Sequence, residues 1–284
     1  MKLSDYVSIM SQTIRTSLPP AGVRLLTSLA DEGKTVFSTA DAARLLGGGA
    51  GRTHTLLTRL VAGGWLKRVE RGRYFVVPLE AGREARWAEE PFVLATQLAS
   101  PSAISHWSAA AHWNLTEQIV RTVFVSTTQR KFRSERIVSG VPFRFIHRPE
   151  RKFFGIVRER VGQTFVPVTS IEKTLVDMLE QPQFSGGIVE AAKALKTAYD
   201  SGRVDADAFA HSLERLGNGA VVKRAGFLLE LFEFDPDLRT RLTRGLTAGE
   251  ALLDPLSRLG GPRSARWRLR LNVALSDLTE WEHH

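Results

Sequence analysis

The stretch that most constrains this chain is residues 52–65, RTHTLLTRLVAGGW, with the segment behind it, LKRVERGRYFVVP. Leu56, Leu57, Leu60 and Val61 recur at the spacing of one helical face, turned towards a core. Arg52, Thr53, Thr55, Thr58 and Arg59 fall on the opposite face, with His54 near its edge. Gly63 and Gly64 end the helix, since glycine takes the left-handed turn that lets the chain leave sharply. Then Leu66, Val69, Tyr74 and Val76 sit among basic residues on either side of Glu70-Arg71-Gly72-Arg73, which predicts a two-stranded hairpin with a charged tip.

A short basic helix leading directly into a basic hairpin is the pattern of a winged helix-turn-helix, so double-stranded DNA is the expected partner. The guanidinium forks of Arg52 and Arg59 match a guanine edge, and the methyl group of Thr53 can meet thymine. Lys67, Arg68, Arg71 and Arg73 suit phosphates or the minor groove. The competing reading is the same fold kept only for dimerisation or protein docking.

Upstream, residues 4–16 carry an apolar stripe of Tyr6, Ile9, Met10 and Ile14 and are expected to form a first helix. Pro19-Pro20 opens a second, AGVRLLTSLADEG, and Val36-Phe37 a short strand. Ser38 or Thr39 caps a third helix, TADAARLLG. Gly47-Gly48-Gly49-Ala50-Gly51 reads as a longer turn than a tight helix-turn-helix needs.

The net charge of +9 is unevenly distributed. Residues 1–80 hold 11 basic against 6 acidic side chains, and residues 121–160 hold 11 against 3, while the rest of the chain is slightly acidic. Concentrated basic faces attract phosphate backbones. In the second block Arg130, Lys131, Arg133 and Arg136 surround Phe132. That cluster is read as a second contact with the DNA backbone, as a surface for an acidic protein or RNA, or as a solvated loop.

Apolar residues at 43% and charged residues at 24% match ordinary globular usage, which argues against a disordered chain. The absence of cysteine excludes disulfides and thiol chemistry and fits a reducing cytoplasm. Met1-Lys2-Leu3-Ser4-Asp5 does not lead into a signal-peptide core, and no apolar run is long enough to span a bilayer.

Residues 80–91 lack apolar periodicity and read as a linker. Beyond it, residues 92–113 look helical in two pieces around Ser100-Pro101, followed by β-rich runs RTVFVSTT, VPFRFIHR and FFGIVRERVGQTFVPVT. Residues 171–179, 188–202, 205–217, 220–234 and 237–246 have helical period, and WRLRLNVA alternates as a late strand. The expected fold class is α+β: a winged helix-turn-helix over 1–80, a linker over 81–91, and a C-terminal domain over 92–284. That domain is expected to be mixed over 92–180 and mainly helical over 181–284.

Catalytic signatures are missing. His106 and His112 are six apart, wrong for a shared metal on one helix, and no cysteine can complete a zinc site. No P-loop, G-x-S-x-G or H-E-x-x-H pattern occurs. Asp205 and Asp207 suit helix capping. No enzyme, metal or cofactor is expected.

ISHWSAAAHWNLTEQ, VFVSTTQR, FRFI, FFGI and VTSIEKTLVDMLEQPQFSGGIVEAAKAL, all within residues 104–196, carry a family resemblance. They resemble the AbiEi abortive-infection antitoxins of bacterial type IV toxin–antitoxin systems. The family pattern has Asp-Pro before Glu-Lys-Thr, where this chain has Ser170-Ile171 before Glu172-Lys173-Thr174. The resemblance implies that the N-terminal domain binds inverted repeats upstream of its own operon and represses it; the chain is expected to be a monomer in solution or a weak dimer on DNA. It implies that the C-terminal domain antagonises a co-encoded nucleotidyltransferase toxin, with or without direct contact. The competing function is a ligand-responsive winged-helix transcription factor unrelated to any toxin.

Overall fold

Pro19 and Pro20 fix where the first described helix begins, because a proline at the first helical position gives up no hydrogen bond that a helix would make. The structure is a computed structural model that describes residues 16–77, 91–130, 134–138, 140–161, 164–258 and 260–279. The helix expected over 4–16, most of the linker, and the side chains of Lys131 and Arg133 lie outside the described residues. The chain divides into two compact units, one running up to Leu98 with Ile137–Gly140, the other formed by Ala99–Arg136 and the chain from Val141 onward.

In the first unit α1 (Pro20–Asp31) is followed by β1 (Val36–Ser38) and α2 (Thr39–Leu46). Ser38 caps α2: its hydroxyl accepts from Asp41 N at 3.0 Å while the Asp41 carboxylate accepts from Ser38 N at 2.9 Å. The bonds from the Ser38 hydroxyl and amide pull the Asp41 carboxyl down to about 2. Gly47, in the left-handed region at φ 61°, closes α2, and Gly49 precedes α3 (Ala50–Ala62). The glycine run is therefore not a long turn. Ala50 and Gly51 belong to the helix, and the connection is a three-residue turn of the length that helix-turn-helix pairs use.

β2 (Leu66–Glu70) and β3 (Arg73–Val76) form the expected hairpin around Gly72, whose φ of 77° needs glycine. β1 pairs antiparallel with β3, giving a three-stranded sheet in the order β1-β3-β2. Leu25 and Leu29 from α1, Phe37, Ala42, Leu57 and Leu60 from α3, Leu66 and Tyr74 form one core. α4 (Pro91–Leu98) completes the unit's described helices.

Beyond Leu98 strands and helices interleave: β4 (Ser102–Ile104), α5 (His106–His112), β5 (Val123–Thr127), β6 (Glu135–Val138, which the division between the units cuts after Arg136), β7 (Val141–His147), β8 (Ile156–Val161) and β9 (Thr164–Thr169). They build a mixed sheet in the order β6-β7-β5-β4-β9-β8. β5 runs parallel to β7 and β4 parallel to β9, whereas β4–β5 and β8–β9 are antiparallel. The region around Ser100-Pro101, expected as a break between two helices, contains strand β4.

Helices α6 (Ile171–Glu180), α7 (Ile188–Asp200), α8 (Ala206–Leu216), α9 (Gly219–Leu231) and α10 (Pro236–Arg244) follow as expected. Ser170, where the family pattern has Asp, caps α6 by accepting from Lys173 N at 3.3 Å. Asp205 caps α8 by accepting from Ala208 N at 2.9 Å. The late strand shrinks to β12 (Leu269–Arg270), between β10 (Ala251–Leu252) and β11 (Arg263–Ser264), because Arg268 takes a positive φ of 51° and breaks the extended run. The short helix α11 (Leu275–Thr279) ends the described chain. Trp267, 1% exposed, lies against Gly226 so closely that a Cβ there would fall 1.9 Å from its ring. The chain is thus a mixed α+β protein, and no described helix is long and apolar enough to cross a membrane.

Candidate nucleic-acid interface

α3 has a sharply divided surface. Thr53, Leu57 and Leu60 are buried, Leu56 and Val61 half-buried, and Arg52, His54, Thr55, Thr58 and Arg59 exposed. Thr53, expected to meet a base, is only 1% exposed, and its hydroxyl bonds to Gly49 O at 3.3 Å. Its position three and four residues before Leu56 and Leu57 places it on the core side, so it cannot touch a ligand on the opposite face. The Thr55 hydroxyl donates to Gly51 O and that of Thr58 to His54 O, both at 3.0 Å.

In the hairpin the alternation of a pleated strand separates side chains that are adjacent in sequence. Lys67 lies opposite Phe75, while Arg68 lies opposite Tyr74, so the two cations leave opposite faces of the ribbon. Arg68 and Arg71 are exposed, and Lys67 and Arg73 half-buried. Leu66, Val69, Tyr74 and Phe75 are all buried, so the ribbon has apolar side chains covered on both faces and stands as a rigid support for Arg71 at its tip.

Elsewhere among this unit's described residues Arg24 is exposed on α1, while Arg44 and Lys34 are internally neutralised. Arg44 contacts Glu32 at 2.9 Å, and Lys34 contacts Glu32 at 2.9 Å and Asp41 at 3.4 Å. Those pairs are solvent-exposed, and each adds little stability. Their consequence is electrostatic: Arg44 and Lys34 add little to the positive field around α3 and the hairpin.

The basic block over 121–160 resolves differently from its composition. Arg130 is exposed and Arg136 half-buried with its guanidinium 5.9 Å from the Phe145 ring centre. Arg144 pairs with Glu135 and stacks at 5.3 Å over Phe184. Arg148 is 3% exposed, turned inward. Much of the block's charge therefore serves internal pairs, which sequence-level counting cannot distinguish from a surface patch.

Arg148 belongs to a buried polar cluster that sequence reasoning missed. Its Nη2 donates to Asp177 Oδ1 at 3.1 Å and to Glu180, and its Nη1 to Gln181 Oε1 at 2.5 Å. Lys173 donates to the same Asp177 oxygen, and Lys152 to Glu180 Oε1 at 2.5 Å. His106, fully buried, places Nε2 3.2 Å from Gln181 Oε1 and Nδ1 2.9 Å from Ser105 Oγ, which in turn accepts from Ser126 at 2.8 Å. Since the Gln181 oxygen also receives the Arg148 bond, it acts as acceptor and the imidazole proton sits on Nε2.

Burial drives the His106 pKa down to about 4, against the pull of Asp177. Burial would raise the Asp177 carboxyl, but Lys173, His106 and Arg148 hold it below the usual range. Burial lowers Lys173, opposed by Asp177. Closed to solvent, the cluster ties the end of β7 to α6 and the segment after it. Among the described residues no group of three or more His, Asp or Glu side chains is placed to hold a metal ion.

No family model matches the chain, and no curated protein matches it. Among solved structures the chain is similar to the crystal structure of RV2827C protein from Mycobacterium tuberculosis, with a TM-score of 0.64 and 16% sequence identity. The similarity covers 96% of this chain and 98% of that one. At that identity the likeness concerns the fold alone.

Proposed function

We propose that this protein is a non-enzymatic DNA-binding regulator of the antitoxin type, acting in the cytoplasm without metal or cofactor. Its first unit is read as a winged helix-turn-helix that binds duplex DNA. The second is read as the part that antagonises a co-encoded nucleotidyltransferase toxin. The observation that carries the DNA half is the exposure of Arg52, His54 and Arg59 on α3 and of Arg68 and Arg71 on the hairpin that directly follows it. The order α1, β1, α2, α3, β2, β3, with a three-residue turn before α3, supports the winged-helix reading. Arg52 and Arg59 would meet base edges, and Lys67, Arg68, Arg71 and Arg73 phosphates. The antitoxin half is supported by the resemblance of residues 104–196 to AbiEi antitoxins.

Two experiments test the two halves. Selection from a random duplex pool should enrich an inverted repeat, and Arg52→Ala or Arg59→Ala should relax the enriched motif at a cost of roughly 1–3 kcal/mol for a bidentate contact. A pool that stays random refutes the DNA half. Co-expression with a nucleotidyltransferase toxin encoded beside it should restore growth, and the lack of such a gene or of any rescue refutes the antitoxin half.

A second reading, a regulator released from DNA by a small ligand, is favoured by one feature of the second unit. A cavity of about 580 Å³ lies between the start of α7 at Gly187 and Ile188, Asp254, and the segment Leu271–Ala274. That size accommodates a small molecule. Ligand-dependent release from the selected duplex without any effect on the toxin would support it.

A further inference from the structure

We propose that Thr55 and Thr58 read thymine through their methyl groups, so that the first unit discriminates thymine from other bases by apolar contact along α3. This rests on the reading of α3 as the helix that enters the major groove.

A threonine facing a groove normally offers a rotatable hydroxyl that can donate to N7 or O6 of a purine as readily as accept from an exocyclic amine. Here the hydroxyl hydrogens are already committed. Thr55 donates to Gly51 O and Thr58 to His54 O, each at 3.0 Å, closing the back-bonds that threonine makes to the carbonyl four residues earlier in a helix. What remains for a ligand is a γ-methyl and an oxygen lone pair. The 5-methyl of thymine is the apolar feature of the major-groove edge, and threonine methyl is a suitable partner for it.

Placement on the helix agrees. With Thr53, Leu57 and Leu60 buried, the direction opposite the core passes between Thr55 and Thr58, three residues apart and both exposed. Arg52 and Arg59 lie together on one flank of that line and His54 on the other. The neighbours Gly51 and Ala62 on the same face are too short to hold the helix away from the groove floor. The threonine methyls therefore approach the bases first.

The test uses the tightest-binding duplex recovered from a random pool, remade with each thymine in turn replaced by deoxyuridine, which removes only the 5-methyl. Wild-type protein should lose roughly fourfold in affinity at one or more thymines of the motif, the effect of one buried methyl-sized group. Thr55→Ser or Thr58→Ser, which keeps the hydroxyl and removes the methyl, should bind the thymine and deoxyuridine duplexes alike at one of those positions. Thr55→Val or Thr58→Val, which keeps the methyl and removes the hydroxyl, should retain the preference. Indifference of the wild type to every substitution, or a preference kept in both serine variants and lost in the valine ones, would overturn the proposal while leaving duplex binding intact. A chain that binds no duplex at all overturns the groove reading, and this inference falls with it.

Discussion

Lowering the pH from 7.5 to 5 should destabilise the second unit through His106 alone among the residues of its buried cluster. The imidazole is fully buried, with Ser105 and Gln181 at its two nitrogens and Phe184 edge-on at 5.7 Å. Burial depresses its pKa from 6.5 to about 4, so between those values the unfolded chain binds a proton that the folded one refuses. Stability is therefore full above pH 6.5 and is lost as the pH falls towards 4. A shift of that size corresponds to about 2 kcal/mol lost at pH 5, from roughly 1.4 kcal/mol per pKa unit. Asp177 and Glu180 are also held below their ordinary values of 3.8 and 4.5, and their contribution is lost chiefly as the pH falls through and below those values, under the pH 5 limit of the test. Guanidinium unfolding of the full chain at pH 7.5, 6.5, 5.5 and 5.0 measures the slope. His106→Gln, which keeps a hydrogen-bonding side chain and removes the titration, should flatten it. Equal slopes in the two proteins would refute the assignment.

Two further outcomes test the packing. Asp177→Asn should cost about 3–5 kcal/mol, since it leaves Lys173 and Arg148 buried without their shared carboxylate; Lys173→Met combined with Asp177→Leu should cost less than the sum of the single changes in a double-mutant cycle. Gly226→Ala should destabilise by at least about 1–3 kcal/mol in thermal unfolding, because the added methyl would overlap the Trp267 ring.

The division between what could and could not be read from the sequence follows physical lines. Local periodicity located α3 and the hairpin, because their apolar spacing and the glycines at 63, 64 and 72 are local signals. The inward turn of Thr53 was missed since threonine is polar by type, although its spacing from Leu57 and Leu60 places it with the core residues. The glycine run at 47–51 read as a long turn because helix propensity penalises glycine, yet tertiary packing of α3 absorbs Gly51. β4, of three residues, is too short to show alternation and exists through pairing with strands distant in sequence, and β6, of four, is too short to be recognised as half of a hairpin with β7. The buried ionic cluster was hidden because Lys173 and Asp177, four apart on a helix, look like an ordinary exposed pair. One signal was available: Leu175, Val176, Met178 and Leu179 leave α6 with an apolar surface too wide for a helix lying on the surface, and seven consecutive residues, Lys173 to Leu179, are buried.

The most direct test of the account is the salt dependence of duplex affinity. If Lys67, Arg68, Arg71 and Arg73 each neutralise one phosphate, log K should fall against log salt with a slope of about −3.6, or roughly 150-fold between 50 and 200 mM. Arg71→Ala should make that slope shallower by about 1 on every duplex tested. A slope near zero, or one that no substitution on α3 or the hairpin alters, would contradict the claim that these side chains form a surface for duplex DNA.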